Sequence, residues 1–463
     1  MNVDSPHADE ARARRTRLWV LVTIGIGTFM SALDGSVVNT LLPVLSRELH
    51  TSVAGIEWVT TIYLLVISGL LLSVGRAGDM FGHRHLYLAG FVIFVIGSAL
   101  CGLAGSAPVL IALRALQATG AAMLYATAPA ILTRTFPASQ RGRALGAQGT
   151  FTYLGLTAGP SLGGWLAGTF GWRSVFYINV PVGLVAIALA LRSIAQDRVE
   201  RQEERFDFAG AVTFTAGLVA LLLALDQGHA WGWTSPAIIA LIAAAVLLLV
   251  LFIRLETHRA HPMLDLTLFR TRVFSAATVS ALLNYVCVYA VLFVLPFLLI
   301  QGRGLSVQRA GLVLTAQPIV MAIVAPVSGA FSDRVGSRGL ATTGMILLGA
   351  GLAWLAVLVR HGTLTQIAGA LAVVGLGIGT FVSPNNSALM GAAPRHRQGI
   401  ASGVLATARN VGMVLGVGFA GAVFTTIAAH SAVPAEGLVE GIRASLFAAA
   451  AVAGLGAVTS AAR

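Results

Sequence analysis

The sequence predicts an all-α integral membrane protein built as two six-helix bundles related by a pseudo-two-fold axis, with two extra spanning helices between them. Three observations carry that prediction. Of 463 residues, 57% are hydrophobic and only 10% are charged, against roughly 25% charged in soluble domains. Apolar segments follow one another from end to end, and no polar block is long enough to fold alone. A ten-residue motif also occurs twice at a fixed offset.

A spanning helix needs about 20 mostly apolar residues. Fourteen such spans are expected, beginning near Leu18, Ile56, Leu86, Pro108, Leu145, Val175, Phe208, Pro236, Val273, Ala310, Leu340, Leu364, Gly399 and Ile442. Internal Gly and Pro are no objection, because membrane helices tolerate both. The expected organisation is a tail (1–17), a first bundle (18–194), a linker carrying the two extra helices (195–272) and a second bundle (273–463).

Orientation follows from the arginines, which are the sole basic residues besides histidine. Placing the N-terminus inside puts 22 of them in cytoplasmic segments and six in outer loops. That bias predicts a multi-pass protein of the cytoplasmic membrane with both termini inside. The tail "MNVDSPHADEARARRTR" leads into a full-length span without a small-residue cleavage site, so it reads as cytoplasmic tail rather than signal peptide. The absence of lysine and the Ala and Gly load suit a GC-rich bacterial genome.

Several function classes are disfavoured. The net charge of +12 is spread over short loops and forms no nucleic-acid face. Cys101 and Cys287 lie far apart inside apolar segments, which gives neither a disulfide framework nor a metal spacing. Histidines fall mainly in tails and loops (His83, His85, His258, His261, His396), and no H-E-x-x-H occurs. A membrane enzyme is therefore poorly supported, and a non-transporting receptor or channel does not account for the duplicated motif.

That motif reads G-x-x-x-D-x-x-G-x-R. "GRAGDMFGHR" supplies Gly75, Asp79, Gly82 and Arg84, and "GAFSDRVGSR" supplies Gly329, Asp333, Gly336 and Arg338, with an offset of 254 throughout. With the two extra helices set aside, each copy sits between helices 2 and 3 of a six-helix half, the arrangement of parallel repeats. Its glycines allow a tight turn, and its Asp can pair with an arginine or with the N-terminus of the span from Gly399. The reading is a cytoplasmic gate; the alternative is an ordinary turn anchored by arginines.

Small residues make a second pattern. "GLTAGPSLGG" spaces Gly155, Gly159 and Gly163 four apart with Pro160 and Gly164 beside them, and Gly412, Gly416 and Ala420 form a similar stripe in the second half. Such stripes permit close helix packing and a kink, so their role is structural.

Two charges stand inside spans of the first half without a duplicate. Adding 254 to Asp34 reaches Val288, and adding it to Arg114 reaches Ala368. A charge in the membrane is expensive and faces a partner or a watery cavity. At 1.5 Å per residue, Asp34 lies about 24 Å from the inner face and Arg114 about 9 Å below the outer face, so in a core about 30 Å thick their levels nearly coincide. Burial disfavours a carboxylate's charged form and a neighbouring guanidinium favours it. Asp34 is therefore expected to take up and release a proton, with Arg114 modulating it; the alternative is a static ion pair that fixes packing. Arg409 is equally compatible with a cavity or a packing role. Asn39, Tyr63, Gln117, Asn284 and Asn385 are polar enough to touch a substrate, or to bond helix to helix.

These stretches resemble the drug:proton antiporters of the major facilitator superfamily, specifically the fourteen-helix branch. "GRAGDMFGHR" is similar to that family's cytoplasmic gate motif, "RALQATGAA" to its fourth-helix motif and "GLTAGPSLGG" to its antiporter motif. "LDGSVVNTLLP" and "GWRSVFYINVPVG" resemble motifs of the branch. The resemblance implies the major facilitator fold and export of amphipathic small molecules such as antibiotics in exchange for protons. It also implies that Asp79 locks one state of the gate, that Arg114 joins the proton relay, and that Asp34 couples protons to substrate. Two departures stand out, Met80 for a basic residue in the gate motif and Ala118 for a glycine in the fourth-helix motif; a weaker gate is expected, while Arg114 and Gln117 of the relay remain. The spans after Val273 lack the extra acids of pumps for dications, so neutral, monocationic or zwitterionic substrates are expected. No cofactor beyond the proton gradient, no nucleic-acid partner and a monomeric state are expected. A dedicated carrier of one metabolite on the same fold is the alternative.

Overall fold

A computed structural model describes residues 6–51, 53–196, 206–258, 262, 264–305, 307–429 and 434–463. Helix is the sole regular structure among them, as the energetics of a backbone in hydrocarbon require. The chain divides into two compact units: Met1–Phe206 with Pro394–Gly403, and Asp207–Ala393 with Val404–Arg463.

The first unit contains α1 (Pro6–Glu48), α2 (Val53–Phe81), α3 (His83–Leu103), α4 (Ala107–Thr135), α5 (Arg141–Phe170), α6 (Ser174–Tyr177) and α7 (Asn179–Ser193). The α1 helix starts well before the expected Leu18, so the described part of the tail is helical. The sixth span, Ser174–Ser193, has an irregular turn at Ile178 between α6 and α7, where the backbone stays helical (φ −59°, ψ −29°). Pro181 explains the irregular turn, since it has no N–H to give the carbonyl four residues back.

The second unit contains α8 (Phe208–Trp231), α9 (Pro236–His258), α10 (Arg272–Pro296), α11 (Val307–Leu314), α12 (Ala316–Val335), α13 (Ser337–His361), α14 (Leu364–Ala392) and α16 (Pro434–Ala461). One more long helix, α15 (Gln398–Ala429), is divided between the units, its first turns belonging to the first. Caps set several starts: Asp207 accepts from the Gly210 amide at 2.8 Å, and Thr363 with Gln366 forms a capping box on α14. The extra pair α8 and α9 packs on itself, with Phe214 and Phe252 5.1 Å apart.

Among the described residues, thirteen helical segments are long and apolar enough to cross a membrane. The expected fourteenth, α5, has the length at 30 residues, but Gly, Thr and Ser dilute its hydropathy. Those small residues serve packing. A Cβ on Gly155 would lie 2.6 Å from the Phe29 carbonyl of α1, and one on Gly163 would lie 2.6 Å from Val37. On Gly159 it would collide with the Ser36 hydroxyl. In the second unit, Gly412 and Gly416 meet Leu282 and Val286 of α10 in the same way. Gly164 meets nothing within 4 Å, so it is outside that seam.

The repeat reaches further than its motif. Gly82 and Gly336 both start the following helix at positive φ, 95° and 88°. Gly90 and Gly97 of α3 press against α4, and their partners at the same offset, Gly344 and Gly351 of α13, press against α14. Gly159→Leu is expected to destabilise the protein by about 1–3 kcal/mol through overpacking, whereas Gly164→Leu should leave its melting temperature in detergent unchanged. Equal effects of the two would contradict the α1–α5 seam.

Candidate functional site

Asp34 lies in the middle of α1 and Arg114 near the start of α4, and the structure brings them together inside the first unit. Arg114 Nη1 lies 2.5 Å from Asp34 Oδ2, with both side chains fully buried. The same nitrogen donates to Gln117 Oε1 at 2.6 Å, and Nε donates to the Val59 carbonyl at 3.4 Å. Gln117, one turn along α4, turns its amide nitrogen to Asp34 Oδ1 at 2.9 Å and to Ser98 Oγ at 2.6 Å. A third element completes the set: Asn179 Nδ2 donates to Asp34 Oδ1 at 3.0 Å. The Tyr63 ring lies beneath the guanidinium, 4.1 Å from centroid to Cζ, and its hydroxyl donates to the Ser31 carbonyl at 3.4 Å.

Among the described residues, three side-chain donors face Asp34, a set that suits a carboxylate. Its charge is balanced by Arg114, which leaves a net-neutral cluster of buried side chains. Balance of this kind contributes little net stability, but removing one partner strands the other charge. Gly97 makes the arrangement reachable, because its missing Cβ lets the Gln117 backbone come within 2.7 Å of where that carbon would sit. Ser98 and Asn179 were not among the residues that sequence reasoning singled out. The available signals for Asn179 were its place two residues before Pro181 and its presence in the stretch "GWRSVFYINVPVG".

The duplicated motif is seen at the end of α2. Asp79 Oδ1 accepts from the Gly399 amide at 2.9 Å and Oδ2 from the Ile400 amide at 3.0 Å. These are orphan donors in the first turn of α15, favourable for an anion. Arg134 Nη2 adds a longer contact to Oδ1 at 3.5 Å. Gly75 and Gly399 permit the approach: a Cβ on either would lie 2.2–2.3 Å from the other's carbonyl oxygen. His83 corrects the reading of the histidines as tail and loop residues. It opens α3, is fully buried, and sets Nε2 3.3 Å from Asp79 Oδ1. Arg84 caps α7 through the Leu191 carbonyl at 2.9 Å. In the second copy Asp333 is partly exposed and Arg338 exposed.

The remaining candidates lie elsewhere. Asn284, Asn385 and Arg409 belong to the second unit. Asn284 is buried with its amide toward Met345 Sδ at 3.5 Å, and its Oδ1 has no hydrogen-bond partner among the described residues. Asn385 links helices, donating to the Ala277 carbonyl and accepting from Arg463. The side chains of Asn39 and Pro160 lie outside the described residues.

Comparison with known proteins agrees with this architecture. The Major Facilitator Superfamily model matches residues 24–262, 206–417 and 277–462. The chain is 35% identical to the riboflavin transporter RibZ of Clostridioides difficile, over 86% of each chain. It is 34% identical to the multidrug resistance protein Stp of Mycobacterium tuberculosis, over 88% of this chain and 76% of that one. Among solved structures, the human organic anion transporter MFSD10 superposes with a TM-score of 0.69 at 14% identity, covering 96% of this chain and 99% of that one. The chain thus belongs to the Major Facilitator Superfamily and is a multi-pass membrane transporter, not an enzyme.

Proposed function

We propose that this transporter is a proton-coupled antiporter that exports amphipathic small molecules, antibiotics among them, by alternating access. The observation that carries this reading is the buried Asp34 carboxylate, held by Arg114, Gln117 and Asn179. A carboxylate is a proton site, and keeping one in a membrane helix is costly unless it is used. Breaking its pairing to Arg114 would make it ready to take a proton; restoring the pairing would expel that proton. Substrate and proton then compete for one cluster, which is the requirement for exchange.

Asp79 supplies the latch in this account. Its two bonds to the first turn of α15 hold one state, and their release allows the other. The arginine bias supports a cytoplasmic-membrane location with both termini inside. The transporter is taken to run as a monomer on the proton gradient, with no organic cofactor. The name of the Stp relative favours drug-like substrates. A second reading, a carrier dedicated to one metabolite, is favoured by the 35% identity to a riboflavin transporter.

A toxicity panel in a pump-deficient bacterium, with and without a protonophore, separates these readings. Resistance to several unrelated amphiphiles, abolished by the protonophore, is the expected result. Riboflavin flux alone would favour the dedicated carrier, and no proton-driven flux of any compound would end the antiporter reading. Asp34→Asn is expected to insert at normal levels and lose proton-driven export; unimpaired export would remove Asp34 from the mechanism. Arg114→Met, which strands the carboxylate, is expected to cost about 3–5 kcal/mol of stability. Adding Asp34→Leu should recover most of that loss in denaturation measurements in detergent, and a double variant no more stable than the single one would contradict the pairing.

A further inference from the structure

The three donors to Asp34 are unequal in freedom. Arg114 and Gln117 travel together on α4 and are bonded to each other. Gln117 is also clamped from both ends, because its Nε2 serves Asp34 and Ser98 while its Oε1 accepts from Arg114. Arg114 has no acceptor to offer in any orientation. Asn179 differs on each count. It sits on another element, at the first residue of α7 directly after the irregular turn at Ile178. It is buried at 2% exposure, and its amide carries both a donor and an acceptor on one rotatable bond.

We propose that Asn179 is the positioning residue that lets Asp34 exchange a hydrogen-bond donor for a proton. This rests on the reading of Asp34 as the coupling carboxylate. In the state seen here, the Asn179 N–H and the incoming proton compete for Asp34 Oδ1. A half-turn of the amide replaces its nitrogen by its oxygen. A proton delivered by water then bonds to Oδ1, the carboxylate becomes the neutral acid, and the new O–H donates to the Asn179 carbonyl. No bond within Asn179 is made or broken, and the cluster goes from neutral to singly positive because Arg114 keeps its charge. Pro181 gives no N–H to the Tyr177 carbonyl beside Asn179, so this donor can be withdrawn by a local adjustment of the helix while α4 stays in place.

The titratable groups that bear on this cluster are Arg114 from α4, Tyr63 from α2 and Cys101 from α3. The α5 helix meets α1 through glycines, α6 contributes the Phe176 ring 5.8 Å from the guanidinium, and α7 contributes the neutral amide of Asn179. Asn179 is thus the uncharged lever on a cluster whose charges sit elsewhere.

The test is an infrared titration of the purified full-length protein, following the protonated-carboxyl C=O band that Asp34→Asn removes. Asn179→Ala and Asn179→Leu, neither of which can donate a hydrogen bond, are compared with wild type, both checked for an unchanged melting curve. Two substitutions are used so that a folding failure in one leaves the other readable. The lost N–H···O⁻ bond is charge-assisted and outweighs the lost neutral O–H···O bond, so the band should half-form about one pH unit higher than in wild type. An unmoved midpoint in a folded variant overturns the role of Asn179. If Asp34→Asn leaves every titrating band in place, the reading of Asp34 itself fails, a distinct result.

Discussion

A single carboxylate, Asp34, sits in a helix where neither water nor lipid can solvate it, and protein donors must do so instead. The rest of the first unit can be understood as the means of supplying them. The glycines of α5 hold it flush against α1 and fix the level of Asp34. The glycines of α3 draw α4 inward, so that Gln117 reaches both Ser98 and Asp34. The sixth span delivers Asn179 from a third direction. Each feature costs something alone, a weak helix former or a missing helical hydrogen bond, and the buried charge explains why all are present together.

The internal duplication divides scaffold from chemistry. The turn glycines and the packing glycines of α3 and α13 recur at one offset, since both halves face the same problem of joining and packing helices in a bilayer. The polar cluster does not recur. Its second-half counterparts are Val288 and Ala368, and that unit is instead threaded by neutral contacts such as Ser280 with Thr459 at 2.8 Å.

Much of this was legible in the chain itself. Charges inside apolar runs are rare enough to stand out, and the rise per residue sufficed to put Asp34 and Arg114 at one depth. The duplicated motif identified Asp79, and the span from Gly399 was available as its helix N-terminus. Other parts were not legible, for physical reasons. Ser98 and Asn179 are neutral polar residues of a type that membrane helices use widely for packing. His83 looked like a loop residue because the preceding glycine hides that α3 starts there, beside Asp79. Hydropathy alone undervalues α5, since a helix packed through glycine and threonine spends little surface on lipid. Irregular turns within spans depend on tertiary packing and leave only a proline as a trace.

The cluster is thus both a structural anchor and the proposed seat of proton exchange. A static ion pair would give the same contacts, so the distinction is dynamic and must be measured as protons. The most direct measurement adds a compound identified by the resistance panel to purified protein in weakly buffered detergent and follows pH. Wild type should release protons as the compound binds, and Asp34→Asn should release none. Equal release from both would show that the coupling proton resides elsewhere and would contradict the account.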